Sequence, residues 1–417
     1  MSYANGYVCD LSGQITRIRR TPTVEGVALG IESDEVAYRH DAAGRLLKHY
    51  EARQGHSRAQ FSYDAADNLA ANDDAVPVTD NRLQHWQALF MKYDHWGNLV
   101  SRRNGLYEQH YAYDAENRLV SARGTGPEGR FEARYHYDAL GRRTHKIVTT
   151  THGTTDTRFL WQGYRLLQEQ QESGLCSTYV YDPNEAWSPL ARVDHFRDQS
   201  SGEIYWFNTD LNGAPLEVTD ERGAVRWSGQ YGSFGEVRHQ SEGFSRLVNR
   251  SARAHQPLRY AGQYADGETG LHYNLFRYYD PQVGRFIVQD PIGLNGGWNL
   301  YQYAPNPLIW IDPLGLYVIR LRHYTSNQGF TGIKNSMVIK AGDQNAVFAT
   351  RAKGKPLSMA DAAEKFKIKQ NHARNYIDFD IDESRVEFRK NDLGVEEYKI
   401  KGDVVLDKKT TKFNKRC

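Results

Sequence analysis

The sequence predicts a mainly β protein that ends in a small α+β domain. Three observations support this fold class: a Tyr-Asp motif recurs through the first third of the chain, its flanks alternate apolar or aromatic residues with polar ones, and this texture stops after Leu316. Alternation with a period of two is typical of strands that have one packed face and one wetted face. We therefore expect a repetitive β-sheet followed by a separate domain.

The repeat has the form Tyr-Asp-x-x-x-Asn/Arg-Leu or a close variant. Its copies begin at Tyr63, Tyr93, Tyr113 and Tyr137, with a degenerate copy at His40. Asp followed by Gly or Asn favours a tight turn with one residue at positive φ, so each copy predicts one β-hairpin. A single hairpin cannot bury its own face, and the copies therefore predict hairpins stacked into one curved sheet.

The balance of charged residues changes after Leu316, where the repeat pattern also ends. The 417 residues carry a net charge of +2, but residues 317–417 hold 21 Lys and Arg against 13 Asp and Glu, whereas residues 1–316 hold 32 against 38. A basic domain favours anionic partners such as nucleic acid or an acidic protein. A basic domain without such a partner is equally consistent with this charge.

Several classes of site are not indicated. The three cysteines are far apart and form no Cys-x-x-Cys pair, so neither a zinc site nor a disulfide framework is predicted. The chain has no phosphate-binding Gly-x-x-x-x-Gly-Lys motif, and no metal site is expected. Its first residues lack the regions of a signal peptide, and no stretch approaches the roughly 20 apolar residues of a membrane span. We expect no membrane association and, if the protein is exported, a signal-peptide-independent route.

A long segment resembles a known family. Leu258–Phe286, followed by Asp290-Pro-Ile-Gly-Leu294, is similar to the associated core of the Rhs and YD-repeat proteins, and the resemblance covers most of residues 30–316. In that family the repeats form a hollow β-shell that encloses a C-terminal toxin. The resemblance implies YD repeats over residues 1–257, an associated core over residues 258–316 and a toxin domain over residues 317–417.

The family resemblance also bears on completeness and partners. Family shells generally need more chain than is available here, so we expect a partial shell that is completed by the remaining Rhs shell or by secretion machinery. A cognate immunity protein is expected, because the producer would otherwise be attacked by its own toxin. The toxin is expected to act in the cytoplasm of a target cell.

Asp290-Pro-Ile-Gly-Leu294 and Asp312-Pro-Leu-Gly-Leu316 repeat one five-residue pattern. Turn chemistry alone explains Asp-Pro followed by Gly. A functional interpretation is that two carboxylates sharing a proton act as general base and general acid, as in aspartic proteases. Both interpretations stay open at this point.

The second copy matches the family's release signal, Pro-x-x-x-x-Asp-Pro-x-Gly-Leu, beginning at Pro307, and relatives cut themselves after the final Leu. Asp312 is so near the cut that a purely conformational role is also open. The resemblance implies cleavage between Leu316 and Tyr317, with Asp290 and Asp312 as the carboxylate pair and Arg285 as a weaker candidate to orient one of them.

The tail has a mixed pattern of short apolar runs. Its predicted strands are Val318–Tyr324, Ala346–Thr350, Tyr376–Ile381, Arg385–Lys390, Glu396–Ile400 and Val404–Leu406, and its predicted helices are Asn327–Asn335 and Ser358–Lys369. Asn391-Asp-Leu-Gly394 predicts a hairpin turn between two of these strands.

Four short segments of the tail resemble the ADP-ribosyltransferase toxins of the His-Tyr-Asp/Glu class. They are Leu321-Arg-His-Tyr-Thr-Ser326, Gly329–Ile333, Ala346-Val-Phe-Ala-Thr350 and Glu396–Asp403. The resemblance implies transfer of ADP-ribose from NAD to a nucleophile through an oxocarbenium-like state. Such a site needs a cofactor anchor, an aromatic side chain that stacks on nicotinamide and a carboxylate that steadies the developing positive charge.

The resemblance assigns roles to individual residues. The implied catalytic residues are His323 at the ribose, Tyr376 as the stacking aromatic and Glu397 as the carboxylate; the implied NAD-binding residues are His323, Tyr324, Thr325, Phe348 and Thr350. Tyr324 is a rival to Tyr376, and Glu396 and Asp403 are rivals to Glu397. Adjacent residues of a strand face opposite sides, so only one of the two glutamates can enter the cleft. Simple packing is an alternative for His323 and for both tyrosines.

Two other functions are compatible with the sequence. The same carrier can hold a nuclease tail, with His323 and His372 as groups that cleave RNA, or the chain can be a non-enzymatic YD-repeat surface protein. Dependence on NAD separates the first alternative from a transferase. The acceptor of ADP-ribose, a protein or a nucleic acid such as RNA, is left open by the sequence.

Overall fold

The computed structural model describes residues 2–11, 13–28, 32–51, 57–70, 78–183, 185–197, 201–241, 256–304, 306–316, 318–342, 345–352, 356–382, 386–391, 395–406 and 411–415. The chain divides into two compact units, Met1–Pro291 with Trp298–Gly315, and Ile292–Gly297 with Leu316–Cys417. The mainly β prediction is confirmed. The division into three domains at residues 257 and 316 stays a prediction.

The first unit is built from antiparallel sheets in which neighbours in sequence are neighbours in space. A five-stranded sheet contains β1 (Tyr3–Cys9), β2 (Ile15–Pro22), β3 (Asp34–His40), β4 (Leu46–Glu51) and β5 (Ser57–Gln60), with helix α1 (Val24–Ala28) after β2. A short pair follows, β6 (Ser62–Tyr63) and β7 (Leu69–Ala70), and then a 3₁₀ helix at Thr79–Asn81.

A fifteen-stranded sheet follows in strict sequence order. Its strands are β8 (His85–Trp86), β9 (Leu89–Tyr93), β10 (Leu99–Asn104), β11 (Tyr107–Tyr113), β12 (Leu119–Gly126), β13 (Gly129–Tyr137), β14 (Arg143–Thr150), β15 (Gly153–Gln162), β16 (Arg165–Gln171), β17 (Leu175–Asp182), β18 (Glu185–Phe196), β19 (Glu203–Thr209), β20 (Pro215–Asp220), β21 (Val225–Tyr231) and β22 (Val237–Ser241).

The Asp of each repeat builds the predicted turn. Asp138 Oδ1 accepts hydrogen bonds from the backbone N–H groups of Leu140 at 2.9 Å and Arg142 at 3.0 Å, and Arg142 Nε donates to Asp138 Oδ2 at 2.7 Å. Gly141 takes the positive φ of 77° that the turn requires. Asp41, Asp64, Asp114 and Asp220 accept the same two backbone bonds.

In most of the repeats the Tyr ties its hairpin to the preceding one, whereas the hydroxyl of Tyr93 lies 3.9 Å from Met91 Sδ. Tyr137 Oη donates to the carbonyl of Leu119 at 2.6 Å, and the guanidinium of Arg118 lies over its ring at 5.4 Å. The same hydroxyl-to-carbonyl bond joins Tyr63 to Leu46, Tyr113 to Leu99, Tyr181 to Leu166 and Tyr231 to Pro215. The Tyr-Asp motif therefore encodes both the turn and the stacking of turns.

The segment after residue 256 packs against the inner face of this sheet. It forms a four-stranded sheet of β23 (Tyr264–Asp266), β24 (Leu271–Asn274), β25 (Arg277–Asp280) and β26 (Arg285–Phe286), and a 3₁₀ helix at Gly293–Gly296 follows. The fully buried Arg143 of β14 donates to both oxygens of Asp266 at 2.6 and 3.1 Å. This ion pair and the surrounding tyrosines fix the segment that carries both DPxGL motifs.

The second unit contains a six-stranded sheet of order β31-β32-β29-β27-β30-β34 and a two-stranded sheet of β28 and β33. Its elements are β27 (Val318–Thr325), α2 (Asn327–Ser336), β28 (Val338–Ile339), β29 (Ala346–Arg351), α3 (Met359–Lys365), a 3₁₀ helix (Gln370–Ala373), β30 (Asn375–Asp382), β31 (Val386–Lys390), β32 (Glu396–Lys401), β33 (Val404–Val405) and β34 (Lys412–Asn414). The sequence pattern missed β28 and β34.

One predicted helix is wrong at its C-terminal end. The helix predicted over Ser358–Lys369 ends at Lys365, and Lys367 has a φ of 50°. The aromatic ring of Phe366 instead stacks on Tyr324, with ring centroids 5.8 Å apart. The helix therefore ends one residue before Phe366, whose ring packs on Tyr324. The predicted turn over Asn391–Gly394 falls largely on residues 392–394, outside the described residues.

Candidate active sites

Asp290 and Asp312 meet at one buried cation in the first unit. Arg277 Nη2 lies 3.1 Å from Asp290 Oδ2 and 3.5 Å from Asp312 Oδ2. The three side chains are at most 3% exposed. The structure thus brings together the two carboxylates that the sequence pattern paired, and it adds a guanidinium that the sequence pattern did not identify.

Arg277 also holds the chain just before the predicted cut. Its Nε donates to the carbonyl of Gly315, its Nη1 donates to the carbonyl of Leu300 at 3.2 Å, and its guanidinium lies 3.6 Å from the ring centre of Phe286. Burial lowers the pKa of Arg277, while the charges of Asp290 and Asp312 oppose that shift. One side chain therefore links both carboxylates to the residue that precedes Leu316.

The turn of the second DPxGL motif requires its glycine. The carbonyl of Asp312 accepts a hydrogen bond from Asn274 Nδ2 at 2.8 Å, and Gly315 has a φ of 67°. A Cβ at Gly315 would lie 2.4 Å from the carbonyl oxygen of Asn274, which no real side chain tolerates. In the first motif, Gly293 also has a positive φ of 63°, but a Cβ there would meet nothing within 4 Å.

Arg285 does not lie at the carboxylates. Its Nη2 donates to the carbonyl of Asn81, and its guanidinium lies 4.7 Å from the ring centre of Tyr301. Arg277 occupies the place that the sequence pattern gave to Arg285. The available signal was a charged residue within the aromatic run Phe276-Arg-Tyr-Tyr279, because a buried cation needs a buried acid. Leu316 is half-buried, and Tyr317 lies outside the described residues.

In the second unit, strands β27 and β29 form a fork. Their register pairs Leu321 with Arg351 and Arg322 with Thr350, and no further pair follows among the described residues. Beyond this point β27 remains paired with β30 and β29 with β32. His323 Nδ1 lies 2.9 Å from the carbonyl oxygen of Phe348 and spans the opening. The two strands therefore share two paired positions among the described residues, and the His323 side chain contacts β29 where that pairing ends.

The protonation state of His323 follows from its surroundings. Burial lowers its pKa, and the hydrogen bond to Phe348 opposes the shift. With the carbonyl as partner, Nδ1 must carry the proton, so Nε2 of the neutral ring is an acceptor. His323 is therefore prepared to accept a hydrogen bond from a hydroxyl group rather than to act as a cation.

Strand alternation distributes the predicted residues between two faces of the sheet. The register pairs Tyr324 with Tyr376, and Arg322 with both Asp378 and Thr350. Glu397 shares this face, because its neighbour Tyr398 pairs with Ala349, the neighbour of Thr350. His323 and Thr325 alternate to the other face. The structure therefore places Glu397, Thr350, Tyr324 and Tyr376 on one face of the sheet, whereas His323 lies on the opposite face.

A buried ion pair lies beneath the aromatic side chains. Arg322 Nε and Nη2 donate to the two oxygens of Asp378 at 2.7 and 2.8 Å, and the guanidinium lies 4.5 Å from the ring centre of Tyr376. The pair is 6% and 8% exposed. Sequence analysis missed it because the match depends on the register of two distant strands. It fixes the position of the Tyr376 ring.

Tyr324 has the contacts of a packed side chain. It is 9% exposed, its ring stacks on Phe366, and its hydroxyl accepts a hydrogen bond from the backbone N–H of Leu357 at 3.3 Å. Tyr376 lies 6.1 Å from it between ring centroids and is only partly buried. Of the two tyrosines, Tyr376 is the more accessible to a ligand.

The three candidate acids differ in position. Glu397 is 7% exposed on β32. The side chain of Glu396 lies outside the described residues. Asp403 lies on the surface, where it accepts hydrogen bonds from Lys340 Nζ at 2.7 Å and from the backbone N–H of Ala341 at 2.8 Å, and the bond to Lys340 lowers its pKa. Of the three candidate acids, Glu397 is therefore the one that is buried among the described side chains.

Two negative observations hold for the described part of the chain. It contains no group of three or more His, Cys, Asp or Glu side chains that could hold a metal ion. It contains no helix that is long and apolar enough to span a membrane.

Comparisons with known families give two matches. The model of the teneurin YD-shell family matches residues 8–309. A second model, described as a HYD1 signature containing ADP-ribosyltransferase, matches residues 321–407. The second match spans β27 through β33, and so contains the fork.

Several curated proteins are similar to the chain. Double-stranded DNA deaminase toxin A of Burkholderia cenocepacia is 44% identical over 302 residues, which cover 67% of this chain and 20% of the relative. Toxin protein Tse5 of Pseudomonas aeruginosa is 33% identical over 353 residues, covering 75% and 25%. Probable deoxyribonuclease RhsA of Dickeya dadantii is 28% identical over 341 residues, covering 74% and 20%. The chain thus spans a fifth to a quarter of these relatives.

Among solved structures, the crystal structure of TcdB2-TccC3 is 16% identical to the chain. The match covers 75% of this chain and 18% of that one, with a TM-score of 0.45.

Proposed function

Because this chain belongs to the teneurin YD-shell family, and because its tail matches an ADP-ribosyltransferase model, we propose that it is a toxin carrier that cuts itself after Leu316 and releases an NAD-dependent ADP-ribosyltransferase. The predicted membership in the Rhs and YD-repeat group with a transferase tail is confirmed by the two matches. The observation that supports the proposed activity is the loss of pairing between β27 and β29, where His323 contacts Phe348, together with the buried Glu397 on β32, the strand paired with β29.

The residues of the fork fit the chemistry of NAD. NAD supplies the ADP-ribosyl group, and nicotinamide is the leaving group. His323 Nε2 accepts a hydrogen bond from a ribose hydroxyl, the partly buried Tyr376 stacks on the planar nicotinamide, and Glu397 offsets the positive charge that develops on the ribose. Thr350 and Phe348 alternate to the face of Glu397 and are proposed to contact NAD there, whereas Thr325 shares the face of His323 and is proposed to assist it. These roles retain His323, Tyr376 and Glu397 as the catalytic residues.

Self-cleavage is proposed at the buried carboxylate pair. Two carboxylates and one guanidinium sum to one negative charge, and a buried net charge is costly, so the cluster is expected to hold one proton. The ionised carboxylate takes a proton from water as the oxygen attacks the carbonyl carbon of Leu316. The protonated carboxyl gives its proton to the departing amide nitrogen of Tyr317. The products are a Leu316 carboxylate and a free Tyr317 amine.

The partners follow from the relatives and from the charge of the tail. Tse5 is named a toxin protein, and two of the relatives are named as acting on DNA. We propose delivery with the remaining Rhs shell through secretion machinery, action in the cytoplasm of a target cell, and neutralisation by a cognate immunity protein. The basic tail favours an anionic acceptor, either nucleic acid or an acidic protein surface.

The transferase is tested with the full-length chain and labelled NAD. Wild-type protein, Glu397→Gln and Glu364→Gln are incubated with bacterial lysate, and label is followed into protein and into nucleic acid. Glu364 is an exposed acid of α3 and serves as the matched control. We expect transfer by the wild type and the control, and a loss of about 10²–10³-fold in Glu397→Gln. A toxic, folded chain that transfers no label would contradict the assignment.

A nuclease tail is the second candidate, because one relative is named a probable deoxyribonuclease. His372, the second histidine proposed for it, is exposed on the 3₁₀ helix Gln370–Ala373. Incubation of the same preparation with DNA and RNA in the absence of NAD separates the two functions. Degradation that needs His372 but not NAD would favour the nuclease.

A further inference from the structure

The hairpin turn between β24 and β25 holds the backbone of the second DPxGL motif. Asn274 Nδ2 donates to the carbonyl of Asp312 at 2.8 Å, and the backbone N–H of Phe276 donates to the carbonyl of Leu314 at 3.2 Å. Arg277, the residue after this turn, holds the next carbonyl of the motif through Nε. The turn and its flanking residues thus hold three backbone carbonyls of one motif.

The backbone of this turn is strained. Its two loop residues join Asn274 to Arg277, which pair directly across the hairpin. The first of them, Leu275, has a φ of 58°, a left-handed conformation that favours glycine, and its side chain is buried. Such conformations persist only where the surrounding structure fixes them, and they cluster at functional sites. The packing of Leu275 therefore fixes the turn that contacts the motif.

The side chain of Asn274 is fully buried, but only half of its amide is used. Its Oδ1 has no hydrogen-bond partner among the described residues. A buried amide oxygen without a partner is costly. The carbonyl of Asp312 does not depend on Asn274 alone, because it also accepts the backbone N–H of Gly315 at 3.4 Å. Stability therefore does not explain an asparagine at this position.

The bond from Asn274 fixes the residue that carries one of the two carboxylates. Asp312 Oδ2 lies 3.5 Å from Arg277 Nη2, which is longer than an ordinary hydrogen bond, so a small shift of the Asp312 backbone would lose this contact. On the other side of the same residue, the backbone N–H of Asp312 donates to Tyr303 Oη at 3.3 Å. Both peptide groups of Asp312 are thus anchored by buried side chains.

We propose that Asn274 is a positioning residue of self-cleavage, whose bond to the Asp312 carbonyl keeps the Asp312 carboxylate at the guanidinium of Arg277. The inference rests on the proposed cut after Leu316 and deepens it. Asn274 contacts none of the reacting atoms and acts through Asp312. Its role in the chain is to hold one catalytic carboxylate in place rather than to stabilise the fold.

The first test compares the rates at which full-length wild type and Asn274→Ala cut themselves, from the fraction of cut chain with time on a denaturing gel. Thermal unfolding shows whether each variant is folded. We expect Asn274→Ala to fold and to cut about 10–10²-fold more slowly, the loss that follows a small displacement of a catalytic group. Asn212→Ala is the matched control, because Asn212 is also buried and its Nδ2 donates to the carbonyl of Pro307 at 3.1 Å. It should cut at the wild-type rate.

The second test separates positioning from a merely structural role. Asn274→Asp keeps the size of the side chain, but its ionised carboxylate cannot donate to the Asp312 carbonyl, whereas its protonated form can. As the pH falls, the rate of Asn274→Asp relative to wild type should therefore rise above that of Asn274→Ala. Loss of the negative charge alone would bring the rate only to the level of the alanine variant, so a gain beyond that level requires a donor.

The outcomes distinguish this inference from the cut on which it rests. A folded Asn274→Ala that cuts at the wild-type rate, or an Asn274→Asp that never exceeds the alanine variant at low pH, would overturn the role of Asn274 and leave the cut intact. A wild-type chain that never cuts would overturn the proposed cut, and this inference with it.

Discussion

Arg277 and Arg322 are both buried arginines that hold carboxylates, but they do so in different ways. Arg277 offers one nitrogen, Nη2, to two carboxylates at 3.1 and 3.5 Å. Arg322 forms two parallel hydrogen bonds with the single carboxylate of Asp378 at 2.7 and 2.8 Å. The first cluster thus joins two carboxylates to one guanidinium, whereas the second joins one carboxylate to one guanidinium.

The difference separates a reactive cluster from a structural one. A balanced bidentate pair has its donors and acceptors matched in geometry and has little tendency to exchange protons. Two carboxylates on one guanidinium nitrogen compete for it, and a proton can move between them at small cost. We therefore propose that the Arg277 cluster carries the cleavage chemistry and that the Arg322 pair positions Tyr376.

The largest effect is expected when the reactive cluster is altered. Asp290→Asn removes one carboxylate but keeps its shape, and should slow self-cleavage by about 10²–10⁴-fold, the usual contribution of a positioned acid or base. The fraction of cut chain on a denaturing gel, followed with time, measures this. Asp114→Asn changes a turn residue far along the chain and should cut at the wild-type rate. If Asp290→Asn cleaved itself at the wild-type rate, the carboxylate pair would not be the catalytic group of self-cleavage.

The balanced pair should respond in stability rather than in cleavage. Arg322→Met leaves Asp378 buried without its cation and should destabilise the second unit by about 3–5 kcal/mol. Adding Asp378→Leu should restore most of this loss, because an apolar pair can replace a buried ion pair. Hydrogen exchange of the backbone amides of β27 and β30 measures the free energy of opening of these two strands. If Arg322→Met/Asp378→Leu were as unstable as Arg322→Met alone, the loss of stability would not come from leaving Asp378 without its cation.

The two DPxGL glycines offer a matched comparison. Gly293→Ala meets open space and should cost only the strain of a positive φ, about 1–2 kcal/mol. Gly315→Ala should cost more, because its Cβ collides with the carbonyl of Asn274, and should also slow cleavage by displacing the Gly315 carbonyl from Arg277. Urea unfolding and the cleavage gel measure both effects. Equal behaviour of the two variants would show that the surroundings of the second motif are unimportant.

The smallest effect concerns protonation of His323. Its folded pKa is lowered by burial, so the folded chain resists protonation while the unfolded chain gains a proton near pH 6.5. Stability from this group is therefore present at neutral pH and falls as the pH drops below about 6.5. Arg322, one residue away, does not titrate in this range. Histidine-labelled NMR, assigned with His323→Gln, should give a midpoint below 6.5, and a midpoint above it would contradict the buried, neutral ring.

Much of the first unit could be predicted from local sequence. The Tyr-Asp repeat carries its own turn through Asp138 and Gly141 and its own stacking bond through Tyr137, so pattern and structure coincide there. The pairing of Asp290 with Asp312 was also accessible, because the two copies share a motif. For the repeat, the information lies within a few residues of chain, and for the acid pair it lies in two copies of one short motif.

The features that could not be predicted from the sequence depend on strand register and on packing between segments that are distant along the chain. Arg277 lies in an aromatic run that reads simply as a buried strand, and only the folded chain shows which acids it meets. The bond between Arg322 and Asp378 requires a register over 56 residues. The contact of His323 with Phe348 likewise depends on the loss of pairing between β27 and β29, which the sequence pattern does not show.

The claim that joins the two units is release of the tail by a cut after Leu316, and the mass of the products tests it most directly. Purified full-length chain, left under native conditions and then denatured, should give a small fragment with the mass of residues 317–417 and an N-terminal Tyr317, together with its larger counterpart. A single species of 47.8 kDa, or a fragment that begins at another residue, would contradict the account.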